Sequence, residues 1–421
     1  MRIAIATLGC KVNHYESDAL LRRLKAVANV VPFKEEADVY VINTCGVTGE
    51  AAHKSRQLIY RCKRQSPEAR IVVIGCYAKL EPDALRTLGA DLLPSTIATE
   101  DAVSFICPDK ALSSDSLATT DGGRNAPRAR ARRYLKVQDG CDQFCSYCVI
   151  PYARGGIKSR TASAVVSEAR QLEADGAAEI VLTGIHLGKY GQGLREEAGL
   201  TDLLRLVLKN TCSTRFRLSS LEPTEVTEEL LAVMVADSRV ARHFHIPLQS
   251  GSDKILTAMN RPYNIRAYAE VVARITARLP GAALTTDLIV GFPGESESDF
   301  QDSLDFCAKT GFSKVHVFVY SDRPPAKSVL LDGKLPEKVK RARSLRAREL
   351  AAGLRRTYMT KQIGELTQVA VESVAGDYCM GTTDSYLPAR FPCKNIAIGS
   401  LVFMVARDVE DGALVGSLAD Q

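Results

Sequence analysis

The stretch Tyr134-Leu-Lys-Val-Gln-Asp-Gly-Cys141-Asp-Gln-Phe-Cys145-Ser-Tyr-Cys148 decides how the rest of the chain is read. It begins as an apolar strand, Tyr134–Val137, and runs at once into three cysteines spaced Cys-x3-Cys-x2-Cys. With 12 cysteines in 421 residues, chance gives this spacing only about 0.01 times per chain, so it needs a chemical reason. Three thiolates leave one iron of an iron–sulfur cluster open to a further ligand, whereas a closed structural zinc site takes four protein ligands. A zinc knuckle completed by a distant His or Cys is the alternative that the spacing leaves open. Cysteines directly after a strand lie at the carboxyl edge of a parallel sheet, where barrel folds keep their active sites.

Downstream, strand patterns recur at Glu179–Leu182, Arg215–Ser219, His243–Pro247, Leu284–Val290 and Lys314–Val319. Helical patterns fall between them at Ala162–Asp175, Leu200–Lys209, Glu225–Val235, Ile265–Leu279 and Glu297–Lys309. This alternation predicts an α/β fold with a partial (β/α)6 barrel, since a closed eight-unit barrel usually needs about 250 residues. Upstream, strands at Arg2–Leu8, Asp38–Asn43 and Arg70–Ile74 alternate with helices at Glu16–Ala28 and Gly49–Gln65, which predicts a separate parallel-sheet α/β domain. Cys107 to Arg133, rich in Ser, Thr, Asp, Gly and Arg, reads as a linker. The short strands Thr367–Glu372, Leu401–Val405 and Ala413–Val415 predict a small antiparallel β-barrel at the C-terminus. The expected division is therefore 1–106, linker 107–133, 134–356 and 357–421.

A hydrophobic fraction of 46% with 25% charged residues excludes disorder as the main state. No apolar run approaches the roughly 18–20 residues of a spanning helix, so no membrane role is expected. The chain reaches Lys11 before a signal-peptide apolar region forms, and its cysteines do not suit a secreted disulfide framework. A cytoplasmic protein is expected. The net charge of +6 is modest, but basic residues gather at Arg124–Arg133 and along 334–356, as a phosphate-contacting surface or as solvated faces.

Three more cysteines, Cys10, Cys45 and Cys76, each lie just beyond one of the N-terminal strands. Parallel strands end at one edge of their sheet, so the three thiols could converge on a single crevice. Buried structural cysteines are the plain alternative. Cys62, Cys107, Cys212, Cys307, Cys379 and Cys393 show no metal spacing and read as packing residues or incidental thiols. His243 and His245 alternate on a strand and so share one face.

With an aromatic before its third cysteine, the Cys141–Cys148 triad resembles the signature of radical S-adenosylmethionine enzymes. Further segments carry the likeness: Thr7-Leu-Gly-Cys-Lys-Val-Asn13, Asn43-Thr-Cys45, Gly75-Cys76, His245-Ile-Pro-Leu-Gln-Ser-Gly-Ser252 and Asp287-Leu-Ile-Val-Gly-Phe-Pro-Gly-Glu295. With them the chain resembles the methylthiotransferase family. That resemblance implies an N-terminal sulfur-handling domain, a radical barrel and a C-terminal TRAM β-barrel. It implies two [4Fe-4S] clusters, one on Cys10, Cys45 and Cys76 and one on Cys141, Cys145 and Cys148, with two S-adenosylmethionine-dependent steps. Tyr147 would contact the adenine of S-adenosylmethionine, Gly184 would face its methionine end, and Glu222 is a further cofactor contact. The implied partners are a tRNA anticodon loop, an electron donor and a sulfur donor. The opening segment most resembles the bacterial branch that adds a methylthio group to C2 of N6-threonylcarbamoyladenosine at tRNA position 37, although His14 stands where Gln is expected. Other branches act on isopentenyladenosine-37 or on a ribosomal protein aspartate. A non-catalytic, zinc-containing RNA-binding protein is the alternative outside the family.

Overall fold

The computed structural model describes residues 1–93, 99–108, 130–195, 198–392 and 395–419, so 109–129 of the expected linker lie outside the described residues. Two compact units emerge. The first collects residues 1–126, 139–157 and 321–329; the second collects 127–138, 158–320 and 330–421. The grouping departs from a linear division of the chain, because the segment carrying Cys141, Cys145 and Cys148 folds with the N-terminal unit.

In the first unit five parallel strands lie in the order Asn29–Val31, Arg2–Thr7, Val39–Thr44, Arg70–Gly75 and Asp91–Leu92. The middle strand is buried along its whole length. Tyr40 and Ile42 pack with Ile59, Cys62 and Tyr77 on one face, and Val39 and Val41 with Leu20, Leu24 and Ile106 on the other. Alternating side chains thus serve two helical layers, as in a doubly wound sheet. The first helix spans Lys11–Val27 rather than starting at Glu16, because its first turns bury Asn13, Glu16 and Ser17 beside Val12 and so hide the apolar beat.

The second unit holds six parallel strands. Arg132–Lys136, Glu179–Thr183 and Arg215–Leu218 form one sheet, and His243–His245, Ala283–Val290 and Lys314–Val319 form another. Parallel bridges Phe216–Val240 and Ser220–His245 carry the order from one sheet to the next, which yields the open six-stranded barrel expected. A closed five-stranded barrel follows, built from Leu366–Ala375, Tyr378–Thr383, Pro388–Pro392, Leu401–Glu410 and Ala413–Leu418. It is not wholly antiparallel, because Pro388–Pro392 pairs parallel with Ala413–Leu418. A ring with an odd number of strands must contain a parallel pair.

One buried carboxylate joins these two barrels. Glu179, fully buried, accepts from Arg215 Nε at 2.7 Å, Arg217 Nη2 at 2.7 Å and Arg132 Nε at 2.8 Å. Arg215 and Arg217 donate their remaining protons to the carbonyls of Gln368, Thr382, Thr383 and Asp384 in the small barrel. Burial alone would push the Glu179 carboxyl up, but Arg217, Arg215 and Arg132 hold it well below the usual carboxylate range. Glu179→Ala strands cations in a dry site and should cost about 3–5 kcal/mol of stability at neutral pH, measured by chemical denaturation. Because the folded value lies below the unfolded one, this advantage is complete above the ordinary glutamate range and fades as pH falls through it. The denaturation midpoints of the two proteins should therefore converge in acid.

Candidate metal centres

The three N-terminal strands that precede cysteines are neighbours in the sheet and run parallel, so their carboxyl ends meet. Cys10 stands at the N-cap of helix Lys11–Val27, Cys45 follows Val39–Thr44, and Cys76 opens helix Cys76–Leu80. The thiols sense one another: burial pushes Cys45 up to about 11, and Cys76 and Cys10 add to that push. Cys76 is likewise raised by burial and opposed by the Arg154 guanidinium. Close approach also shows at Gly9, whose φ is +108° and whose added Cβ would lie 2.7 Å from Cys45 Cβ and 3.2 Å from its Sγ.

The second triad occupies a tight loop. The Cys141 N–H donates to Gly155 O and the Cys148 N–H to Cys145 O, each at 3.0 Å, while Phe144 takes a left-handed φ of +47°. The N–H groups of Gln143 and Ile150 donate to Cys141 Sγ and Cys148 Sγ, both at 3.5 Å. Such N–H···S bonds stabilise thiolate charge and tune iron–sulfur sites. All six cysteines are free of disulfides, so each group offers three sulfur donors.

Both triads belong to the first unit, and two arginines bind their loops together. Arg154 ends the helix Ile150–Arg154 that follows Cys148, and its side chain is 5% exposed. Nη1 donates to Glu16 Oε1 at 2.9 Å and Asp139 Oδ1 at 3.1 Å, and Nη2 donates to Asn13 Oδ1 at 2.7 Å. Asn13 Oδ1 also faces Cys10 Sγ at 3.6 Å, and its Nδ2 donates to Leu8 O and Thr44 O. Arg323 donates to Gly46 O, beside Cys45, at 2.7 Å and pairs with Glu81 at 2.8 Å. Further along that segment the Ser328 N–H donates to Ser146 O, beside Cys145, at 2.7 Å. No sequence motif flagged Arg154 or Arg323; the only available signal was an arginine closing the apolar turn Ile-Pro-Tyr-Ala directly after a cysteine triad.

The remaining predicted positions lie as follows. Tyr147 is half-buried within the triad loop. In the second unit, an added Cβ on Gly184 would come 2.7 Å from Gln138 Oε1, which accepts the His186 N–H at 2.8 Å, so a side chain there would push on that hydrogen bond. Glu222 is paired with Arg261; burial raises its carboxyl and Arg261 opposes the rise. His243 and His245 both reach the Thr285 hydroxyl, at 3.1 and 2.9 Å, as expected for one face. Missed from sequence is a polar group on adjacent strands, His245, Asp287 and His316, whose ligand atoms lie within 4.8 Å and could hold a polar ligand or a cation. Cys62, Cys107 and Cys307 are buried, whereas Cys379, read as a thiol, is disulfide-bonded; Cys393 lies outside the described residues. The basic clusters need correction too. Arg132 is bound to Glu179, Arg343 to Glu295 at 2.6 Å in a buried pair, and Arg346 to Glu297, so these three are already committed within the fold. Arg124 and Arg128 lie outside the described residues.

Residues 2–93 match the Uncharacterized protein family UPF0004, and residues 135–307 match the Radical SAM superfamily. A threonylcarbamoyladenosine tRNA methylthiotransferase MtaB of Bacillus subtilis (strain 168) is 36% identical over 416 residues, covering 95% of this chain and 92% of the relative. The chain belongs to the radical S-adenosylmethionine tRNA methylthiotransferase family. It is therefore an enzyme that uses iron–sulfur chemistry and S-adenosylmethionine. A tRNA-2-methylthio-N(6)-dimethylallyladenosine synthase of Moorella thermoacetica is 31% identical, covering 99% of this chain and 98% of the relative. Among solved structures, the radical S-adenosylmethionine methyltransferase TsrM from Kitasatospora setae matches with a TM-score of 0.58 at 14% identity. That match covers 78% of this chain and 76% of TsrM, a likeness of fold. Among the described residues no helix is long and apolar enough to cross a membrane.

The closeness of Gly9 to Cys45 is directly testable. Gly9→Ala forces a side chain into left-handed backbone and against Cys45, at a cost of about 1–2 kcal/mol in backbone strain alone. Any iron that the N-terminal triad takes up on anaerobic reconstitution should fall in this variant.

Proposed function

We propose that this enzyme adds a methylthio group to C2 of N6-threonylcarbamoyladenosine at position 37 of tRNA, and that it does so with two [4Fe-4S] clusters. Cys10, Cys45 and Cys76 would hold one, and Cys141, Cys145 and Cys148 the other. The observation that carries this reading is the gathering of two three-sulfur sets in one compact unit of a family member. When bound, the clusters and S-adenosylmethionine would hold the sulfur to be transferred and supply a radical able to activate a C–H bond that offers acid–base chemistry no handle. The chain's own residues hold and orient. Backbone N–H groups of Gln143 and Ile150 support the sulfurs of Cys141 and Cys148, Asn13 fixes the loop of Cys10, and Arg323 fixes the loop after Cys45. Tyr147, Gly184 and Glu222 are the proposed S-adenosylmethionine contacts. An electron donor and a sulfur donor complete the reaction, which we place in the cytoplasm.

Two observations favour the threonylcarbamoyl substrate over isopentenyladenosine: the Thr7–Asn13 segment, and 36% identity to the Bacillus subtilis relative against 31% to the Moorella thermoacetica one. Mass spectrometry of tRNA nucleosides from cells with and without the gene tests the choice. Loss of only the 2-methylthio form of threonylcarbamoyladenosine is expected. Loss of 2-methylthio-isopentenyladenosine instead would move the enzyme to the other branch.

For tRNA contact, Arg341 and Arg356 are exposed on helix Glu337–Thr360 and carry no ion pair among the described residues. Replacing both by Glu should weaken tRNA binding and lower the slope of log affinity against log salt by about 0.7–0.9 per lost phosphate contact. An unchanged slope would return this helix face to solvent. Iron analysis tests the two-centre reading: about eight iron per reconstituted chain, and about four when Cys141, Cys145 and Cys148 are all alanine.

A further inference from the structure

We infer that Arg154 is a positioning residue through which the segment carrying one cysteine triad sets the sulfur geometry and the charge of the other. The inference rests on the two-centre reading. Arg154 belongs by sequence to the Cys141–Cys148 triad, standing at the end of the short helix that follows it. Its guanidinium nevertheless lies among N-terminal groups. It reaches Cys10 through Asn13, whose Oδ1 lies 2.7 Å from Nη2 and 3.6 Å from Cys10 Sγ, and its positive charge acts on the Cys76 thiol against the effect of burial.

Glu16 alone, with both oxygens on the fork at 2.9 and 3.2 Å, would satisfy a simple structural ion pair. The fork goes further, taking Asp139 on one arm and Asn13 on the other. Glu16 and Asp139 both pair with this one cation, so removing it leaves two uncompensated carboxylates beside the loop of Cys10. Net charge and hydrogen bonds to sulfur are the levers that set an iron–sulfur site's potential, and partners beyond the ligands set its affinity for metal. A lysine keeps the charge but lacks the fork that spans Asn13 and Asp139.

The test uses the full chain with Cys141, Cys145 and Cys148 changed to alanine and reconstituted anaerobically, so that only the N-terminal centre is loaded. In this background Arg154 is compared with Arg154→Gln and Arg154→Lys by iron content, loss of iron to a chelator, redox titration followed by electron paramagnetic resonance, and thermal melting. Arg154→Gln should move the midpoint potential to more negative values and hasten iron loss about tenfold or more. Arg154→Lys should bring the potential back toward the parent while iron loss stays fast. A Gln variant with unchanged potential and iron retention, altered only in melting, would make Arg154 a structural ion pair and overturn the inference. Should the Gln variant not fold, the Lys variant decides alone, because iron retention equal to the parent would overturn the role of the fork. A parent that holds no iron overturns the two-centre reading itself, and this inference with it.

Discussion

A guanidinium buried among carboxylates is tolerated only while every partner is in place, and Arg154 is that constraint here. Its partners come from the first helix at Asn13 and Glu16 and from Asp139 just ahead of Cys141, so the charge is neutralised only when these pieces of chain come together. Breaking such a pair by removing one partner typically costs about 3–5 kcal/mol, which makes the arrangement close to all-or-none. This explains why residues 139–157 fold with the N-terminal sheet although they are continuous in sequence with the six-stranded barrel. Arg323 repeats the logic on the other side, holding the loop after Cys45 while its neighbour Ser328 holds the loop at Ser146.

Strand polarity divides the remaining work. In the N-terminal sheet every cysteine of the first triad sits past a carboxyl end, where backbone turns leave side chains free to face a ligand. At the amino ends of the barrel strands stand Arg132, Glu179 and Arg215, which make no provision for chemistry and instead anchor the five-stranded barrel through its main-chain carbonyls. Barrels commonly segregate chemistry to one face and stability to the other.

Much of this was legible in the residues. Period-two and period-3.6 patterns located the strands and most helices, and three cysteines each placed one residue or a few past a strand had to meet once the strands proved adjacent and parallel. The triad spacing marked a metal–sulfur site without any fold, leaving open a cluster or a zinc knuckle. What escaped was long-range and polar. Asn13, Glu16 and Arg154 look like ordinary surface residues, because burial of a charge is decided by partners more than 130 positions away in sequence. For the same reason Arg343 resembled part of a basic face, when its helix buries it against Glu295. The start of the first helix is hidden from the apolar pattern because polar residues occupy its buried side. The parallel pair in the small barrel follows from strand number, which short Gly-punctuated strands did not reveal.

The central claim is that one compact unit carries two separate three-cysteine metal centres. Anomalous diffraction at the iron edge from crystals of the anaerobically reconstituted protein tests it most directly. The account predicts two distinct iron peaks, one bonded to Cys10, Cys45 and Cys76 and the other to Cys141, Cys145 and Cys148. A single iron peak, with the N-terminal thiols unligated in fully loaded and active protein, would contradict it.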